Sequence, residues 1–460
     1  MFIALRSFPN AILIIFVELF IGSKGYLFFA EIFGVQISIR LMFFVIIMLV
    51  WLYLFVKNIR QGDLNIAKIR LYIQNNIYLK LLFVLLFIIA FATINAFLRQ
   101  NSLSDIFFDL NGWLFLGILF PLFSLPLFYE NKLKDFLNNL LAVFLAGIVW
   151  ISLKTLILLY LFSHLAPWLD NIYRWVRESG VGEITMMPGN FYRIFIQSQI
   201  FVLAGIIVVL ILLLKTKKRR QSFFLHLCMI LFLSTTIVSL SRSNWLGLAC
   251  SLLLFFLGYS FVYFRPFKKY FNYILRFIGV IILSAVFVFM IVKIPWPGSD
   301  TQVDTFKSIR DRTGNIANEA GAASRWALWP EMLKEIKKGP FLGRGFGTTI
   351  SYASSDPRAL ESNPDKLYTT FSFEWGWLDV WLKLGIFGLL VYAGIFVILI
   401  VENLKKFFQQ RDIIYLGLVC LLVLMAVINF FSPYLNHPLG IGFLLIIIFF
   451  SCQKKQNIIY

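Results

Sequence analysis

Residues 222–264 read SFFLHLCMILFLSTTIVSLSRSNWLGLACSLLLFFLGYSFVYF. Two apolar runs, 222–240 and 244–264, are separated only by Ser241-Arg242-Ser243. A bilayer core about 30 Å thick is crossed by roughly 20 apolar residues at about 1.5 Å of rise each. Each run has that length, and the polar break between them leaves room for nothing longer than a tight turn. The stretch therefore predicts two antiparallel membrane helices with an arginine at the turn.

The same reading extends along the chain. Of 460 residues, 60% are hydrophobic and only 14% charged, and the mean hydropathy is +0.82, far from the balance of a soluble globular domain. Long apolar runs bounded by charge or turn residues fall near 8–22, 37–56, 77–98, 111–129, 136–163, 195–214, 222–240, 244–264, 271–294, 376–401, 412–431 and 438–452. The expected fold class is an all-α polytopic integral membrane protein of about twelve transmembrane helices. Residues 1–294 would hold helices one to nine with a smaller external loop at 164–194. Residues 295–375 would form a large helical extracytoplasmic loop, and 376–460 the last three helices.

A net charge of +19 would suggest nucleic acid in a soluble protein. Here the basic residues collect in alternate connections, around 57–70, 132–134, 215–220, 265–269, 405–411 and 454–455. Lys/Arg-rich connections mark the cytoplasmic side, so both termini are expected inside and no nucleic-acid partner is implied. The opposite short connections carry only Lys24, Arg99 and Arg242. No small-x-small cleavage site follows the first run at Glu18-Leu19-Phe20-Ile21-Gly22, which predicts a retained first helix. Cys228, Cys250 and Cys420 lie inside apolar runs and Cys452 near the end of the chain, so neither disulfides nor a metal-thiolate site is expected.

Function should sit in the two long external connections. The larger is charge-balanced, as an ordered domain is. Within it Trp326, Trp329, Leu333 and Ile336 recur at helical spacing until Gly339-Pro340, predicting a helix lying along the membrane surface. The smaller places Trp168, Tyr173 and Trp175 beside Arg174 and Arg177, an interfacial pattern.

Arg242 has two readings: a residue snorkelling to the interface, or a guanidinium fork that binds a lipid phosphate through paired hydrogen bonds. Glu18, Lys154, Asp379 and Lys383 are ionisable groups in apolar runs, expensive in lipid and expected to face the bundle interior; Asp379 and Lys383 can pair at i,i+4. Gly343, Gly345 and Gly347 lack the spacing and the strand-turn-helix setting of a nucleotide loop and read as turn glycines.

Three motifs, in order, carry a family resemblance: Ser241-Arg242 with Trp245 and Gly247; Arg325-Trp326 with Trp329, then Gly339-Pro340-Phe341-Leu342-Gly343-Arg344-Gly345-Phe346-Gly347; and Leu378 through Leu384-Gly385-Ile386-Phe387-Gly388. Over residues 190–400 the chain resembles the O-antigen ligase and polymerase superfamily, which includes the lipopolysaccharide O-antigen ligase WaaL and the polymerase Wzy. The resemblance implies a GT-C-like helical glycosyltransferase without cofactor or metal. It would move a glycan from undecaprenyl diphosphate, on the external face of the bacterial inner membrane, to an acceptor hydroxyl on a glycan, lipid or protein. Membrane lipids and other polysaccharide-assembly proteins would be its further partners.

On that reading Arg242 and Arg325 bind the diphosphate, with Arg193 and Ser241 as further substrate-binding residues. Family ligases commonly carry His-Asn shortly before the last motif, where this chain has Glu374-Trp375. Glu374 is the candidate base if Phe371, Phe373, Trp375 and Trp377 bury it and raise its pKa; otherwise it is a helix-start carboxylate. His437, in the turn before the last helix, is the reserve base or a structural turn histidine. The missing His-Asn tilts the reading toward a polymerase. A secondary transporter, or a non-catalytic flippase or scaffold of envelope polysaccharide synthesis, is the rival.

Overall fold

A computed structural model describes residues 2–453 except 24, 26, 28, 33, 34, 63, 167, 188–190, 264–266, 295–319 and 355–366. Much of the large connection, and the basic residues at 454–455, thus lie outside the described residues. The rest is mostly helical. Nine helices among the described residues are long and apolar enough to cross a membrane, and three shorter apolar ones, Phe8–Ile21, Gln199–Lys215 and Pro438–Cys452, occupy the remaining expected places.

Tight packing in lipid comes from small residues that let backbones approach, because lipid tails are as apolar as the side chains. The Arg242–Tyr263 helix lies along Ile413–Phe431 in this way. A methyl group on Gly247 would fall 2.5 Å from Ile428, and one on Gly258 would fall 2.6 Å from Leu416. Glu18, buried in the first helix, is neutralised by Arg40, whose Nε donates at 2.5 Å and Nη2 at 3.1 Å. Lys154 keeps a buried Nζ with no hydrogen-bond partner among the described residues.

The described residues agree with an all-α polytopic membrane fold, to which three short antiparallel hairpins are added, 29–32 with 35–38, 182–187 with 191–196, and 350–353 with 367–370. Arg193 lies on the 191–196 strand, ahead of the helix that begins at Gln199. Phe191, Ile194 and Ile196 turn inward from that strand, a pattern set by β-branched and aromatic residues. In the Ala320–Lys337 helix the buried face is Leu328, Met332 and Ile336, packed on Phe373, Trp375 and Leu382. Trp326, placed on that face by spacing alone, is 65% exposed.

The Gly376–Gln410 helix is broken at Gly385, at φ +74°. A Cβ there would fall 2.1 Å from the Phe341 carbonyl oxygen, so only glycine lets the glycine-rich loop seat against the break. The loop supplies hydrogen bonds that the break frees: Arg344 N donates to Leu382 O at 2.7 Å, and Ile386 N donates to Pro340 O at 2.9 Å. Gly343, Gly345 and Gly347 all have positive φ, as turn glycines should.

Candidate functional site

At the end of the bundle that carries the 182–196 hairpin, a cavity of about 590 Å³ is lined by charge and aromatic rings together. Arg325 and Glu374 face it from one wall, Glu183 and Gln197 from another, Asn436 and His437 from the last turn, and Asp109 and Lys383 from its floor.

The wall is built by two linked contacts. Arg325 Nε pairs with the Glu374 carboxylate, and Trp375 Nε1 donates to the Arg325 carbonyl at 2.8 Å. Phe373 and Trp375 point into the protein and Glu374, between them in the chain, points out; its side chain is 51% exposed. The aromatic neighbours in sequence therefore do not bury Glu374, and its charge partner is Arg325.

Asp109, Lys383 and Asn436, which line the cavity, share a network with Asp379 buried beneath them. Lys383 Nζ lies 2.6 Å from Asp109 Oδ1 and 2.7 Å from Asp379 Oδ1, so the i,i+4 pair read from the sequence is present and has a third member. Asn436 Nδ2 donates to Asp379, Gly347 N donates to Asp109 Oδ2 at 2.9 Å, and the ammonium sits 5.4 Å over the Phe373 ring. This network ties the Leu103–Leu114 helix, the glycine-rich loop, the broken helix and the last turn to one point.

Arg193, Ser241 and Arg242 do not line the cavity but stand beside it. The Arg325 charge acts on both Arg193 and Arg242, so the three guanidinium groups share one electrostatic neighbourhood. Arg193 Nε donates to the Ser239 carbonyl at 3.0 Å and Nη1 pairs with Glu183 at 3.2 Å, which braces the turn carrying Arg242. Burial lowers the Arg193 pKa from its ordinary value; Glu183 opposes that shift, and the Arg325 and Arg177 charges add to it. Ser241 Oγ contacts Ser243 Oγ at 3.2 Å, and Ser243 Oγ contacts Ser432 Oγ, at the cavity rim, at 3.3 Å. Leu240, left-handed at φ +44°, makes the turn.

His437 accepts the Leu439 amide on Nδ1 at 3.3 Å and so caps the last helix. His164 is buried with Nδ1 2.7 Å from Tyr160 O, and His226 Nδ1 lies 2.7 Å from Ser222 O; neither is at the cavity.

Residues 227–393 match the family model described as O-antigen ligase. Over that segment the chain is similar to O-antigen ligases, which supports its place in the O-antigen ligase and polymerase superfamily. No curated protein matches the chain. The apolar helices and the O-antigen ligase match of that segment together indicate a multi-pass protein of the bacterial inner membrane, and the match supports a role of the O-antigen ligase or polymerase type in glycan processing. The O-antigen ligase segment holds Arg242, Arg325, Glu374 and Lys383, whereas Asp109, Glu183, Arg193, Asn436 and His437 come from outside it. Asp109, Glu183 and Asn436 were not singled out from sequence. An aspartate inside an apolar helix, such as Asp109, was the one available signal.

Proposed function

We propose that the cavity is the active site of an extracytoplasmic glycosyltransferase that transfers an undecaprenyl-diphosphate-linked glycan to an acceptor hydroxyl. The observation that carries the reading is the Arg325–Glu374 pair at the cavity wall, with Arg242 and Arg193 in the same field. Arg325 and Arg242 receive the diphosphate, because a guanidinium offers two parallel donors to phosphate oxygens. Arg193 holds the Arg242 turn, and Ser241 serves the same turn through Ser243.

As the diphosphate takes the Arg325 fork, Glu374 loses its partner and becomes available as the base. The acceptor oxygen then bonds to the anomeric carbon while the bond from that carbon to the diphosphate breaks. The electron pair leaves with undecaprenyl diphosphate, stabilised by the arginines, and the acceptor proton passes to Glu374. His437 fits a binding role better than a basic one. A neutral imidazole accepting on Nδ1 carries its proton on Nε2, which makes that nitrogen a donor. The reaction as written uses neither metal nor cofactor. Glu374-Trp375 in place of His-Asn favours a polymerase, whose acceptor is another lipid-linked glycan, over a ligase acting on a lipid core or a protein.

The test is purified protein in proteoliposomes with a lipid-linked oligosaccharide. A longer or transferred glycan supports the enzyme; movement of the lipid-linked donor between leaflets without new product means a transporter or flippase; neither means a scaffold.

A further inference from the structure

A second cavity, of about 440 Å³, lies between five helices and shares no lining residue with the first. Its walls come from Leu140 and Phe144, from Phe201 through Val208 to Lys215, from Gly417 and Leu421, and from Phe443 through Ile446 to Phe450, with Phe20 closing one side. Apart from Lys215, every lining residue is apolar.

Its two ends differ. One is shut by phenylalanines: the ring of Phe20 lies 5.2 Å from Phe144 and 5.0 Å from Phe201, and Phe201 lies 6.3 Å from Phe443. At the other end is Lys215, paired with Asp412 at 3.2 Å and followed in the chain by exposed Lys217, Lys218, Arg219 and Arg220. From Phe201 to Lys215 the helix rises about 20 Å at roughly 1.5 Å per residue. One leaflet of hydrocarbon is about 15 Å deep, half of the bilayer core, so the slot suits a single lipid chain.

We infer that this slot holds one acyl chain of an anionic phospholipid, with its phosphate at Lys215. A tail gains nothing hydrophobic by leaving the bilayer for an apolar slot, since both surroundings are equally apolar. Selection must therefore come from the head group, and basic pockets between membrane helices favour anionic ones. Near the mouth, Asp412 is outnumbered by the five basic residues between 215 and 220. The polyprenyl chain of the proposed donor is a poorer occupant. The charged mouth lies at the opposite end of the Gln199–Lys215 helix from Gln197 and the first cavity, with the phenylalanine cluster between them. The inference does not rest on the proposed reaction.

The experiment is native mass spectrometry of the full chain in mild detergent, titrated separately with phosphatidylglycerol, phosphatidylethanolamine and phosphatidylcholine. One phosphatidylglycerol per protein is expected at a concentration at least tenfold below that needed for either of the others. Lys215→Gln should remove that preference. Val208→Phe should abolish the bound lipid while the protein still elutes as one symmetrical peak. Ile446→Phe, filling the slot from another wall, serves if Val208→Phe does not purify. Equal retention of the three lipids, or a preference for phosphatidylethanolamine, would overturn the head-group assignment. A preference that survives Lys215→Gln would overturn the placement of the phosphate. Lipid still bound to a slot-filled variant would overturn the site.

Discussion

Lys383 Nζ and Asp109 Oδ1 stand 2.6 Å apart, an ion pair between residues 274 positions apart in the chain. Among the described residues Lys383 is also the only cation paired with Asp379, so its removal would leave the carboxylates of buried Asp379 and nearly buried Asp109 without their shared partner. Breaking a buried pair from one side costs roughly 3–5 kcal/mol, most of it from the charge left behind. Lys383→Met should therefore lower the Tm of the purified protein sharply or prevent its accumulation. Asp109→Asn should be milder, because Lys383 keeps Asp379, and in Lys383→Met it should restore part of the loss. Thermal unfolding of the four proteins measures this coupling; a Lys383→Met protein as stable as the parent would remove the network from the account of stability.

The proposed diphosphate site makes a sharper demand on Arg325 and Arg242. Lysine keeps the charge and loses the planar fork, so Arg325→Lys and Arg242→Lys should each abolish most glycan transfer while the protein still reaches the membrane in normal amount. Product formation and membrane abundance are read side by side. Near-normal product in both variants would sink the diphosphate assignment, and loss of abundance alone would favour the snorkelling reading of Arg242.

Which parts were legible from sequence follows from the range of the forces involved. Helix positions are dictated by apolar run length, a local property; the run at 77–98 coincides with the Ile77–Leu98 helix. The strand at 191–196 merged with the run that follows it, because both are apolar and a six-residue strand has too few positions to show its own period. Glu374 was legible as a candidate but its surroundings were not. Aromatic neighbours in sequence point opposite ways in an extended segment, and its partner Arg325 is 49 residues away. Asp109 fared worse, since its significance depends wholly on Lys383 in a distant helix.

The side of the membrane on which the first cavity opens follows, in this proposal, from the basic connections. Ser351 and Gln221 are both exposed, one in the large connection and one beside the Lys215–Arg220 run. In a background without the four native cysteines, Ser351→Cys should react with an impermeant thiol reagent in intact cells, and Gln221→Cys only after permeabilisation. The opposite pattern would put the cavity in the cytoplasm, where an external lipid-linked glycan could not reach it.

The last prediction concerns the proton. Glu374→Gln preserves size and hydrogen bonding but cannot accept a proton at neutral pH. If Glu374 is the base, turnover should fall roughly 10²- to 10⁴-fold, the usual contribution of general-base catalysis. Donor affinity should hold or rise, because Arg325 would no longer have a carboxylate competing with the diphosphate. This split between turnover and binding separates a catalytic carboxylate from a structural one, whose loss would weaken both. His437→Gln should mainly weaken substrate binding, since its Nδ1 is committed to the Leu439 amide. Should His437→Gln stop turnover while Glu374→Gln works normally, the base belongs to the last turn and Glu374 is only the resting partner of Arg325. If both variants turn over freely, the acceptor proton leaves through water, and arginine-assisted departure of the diphosphate carries the reaction.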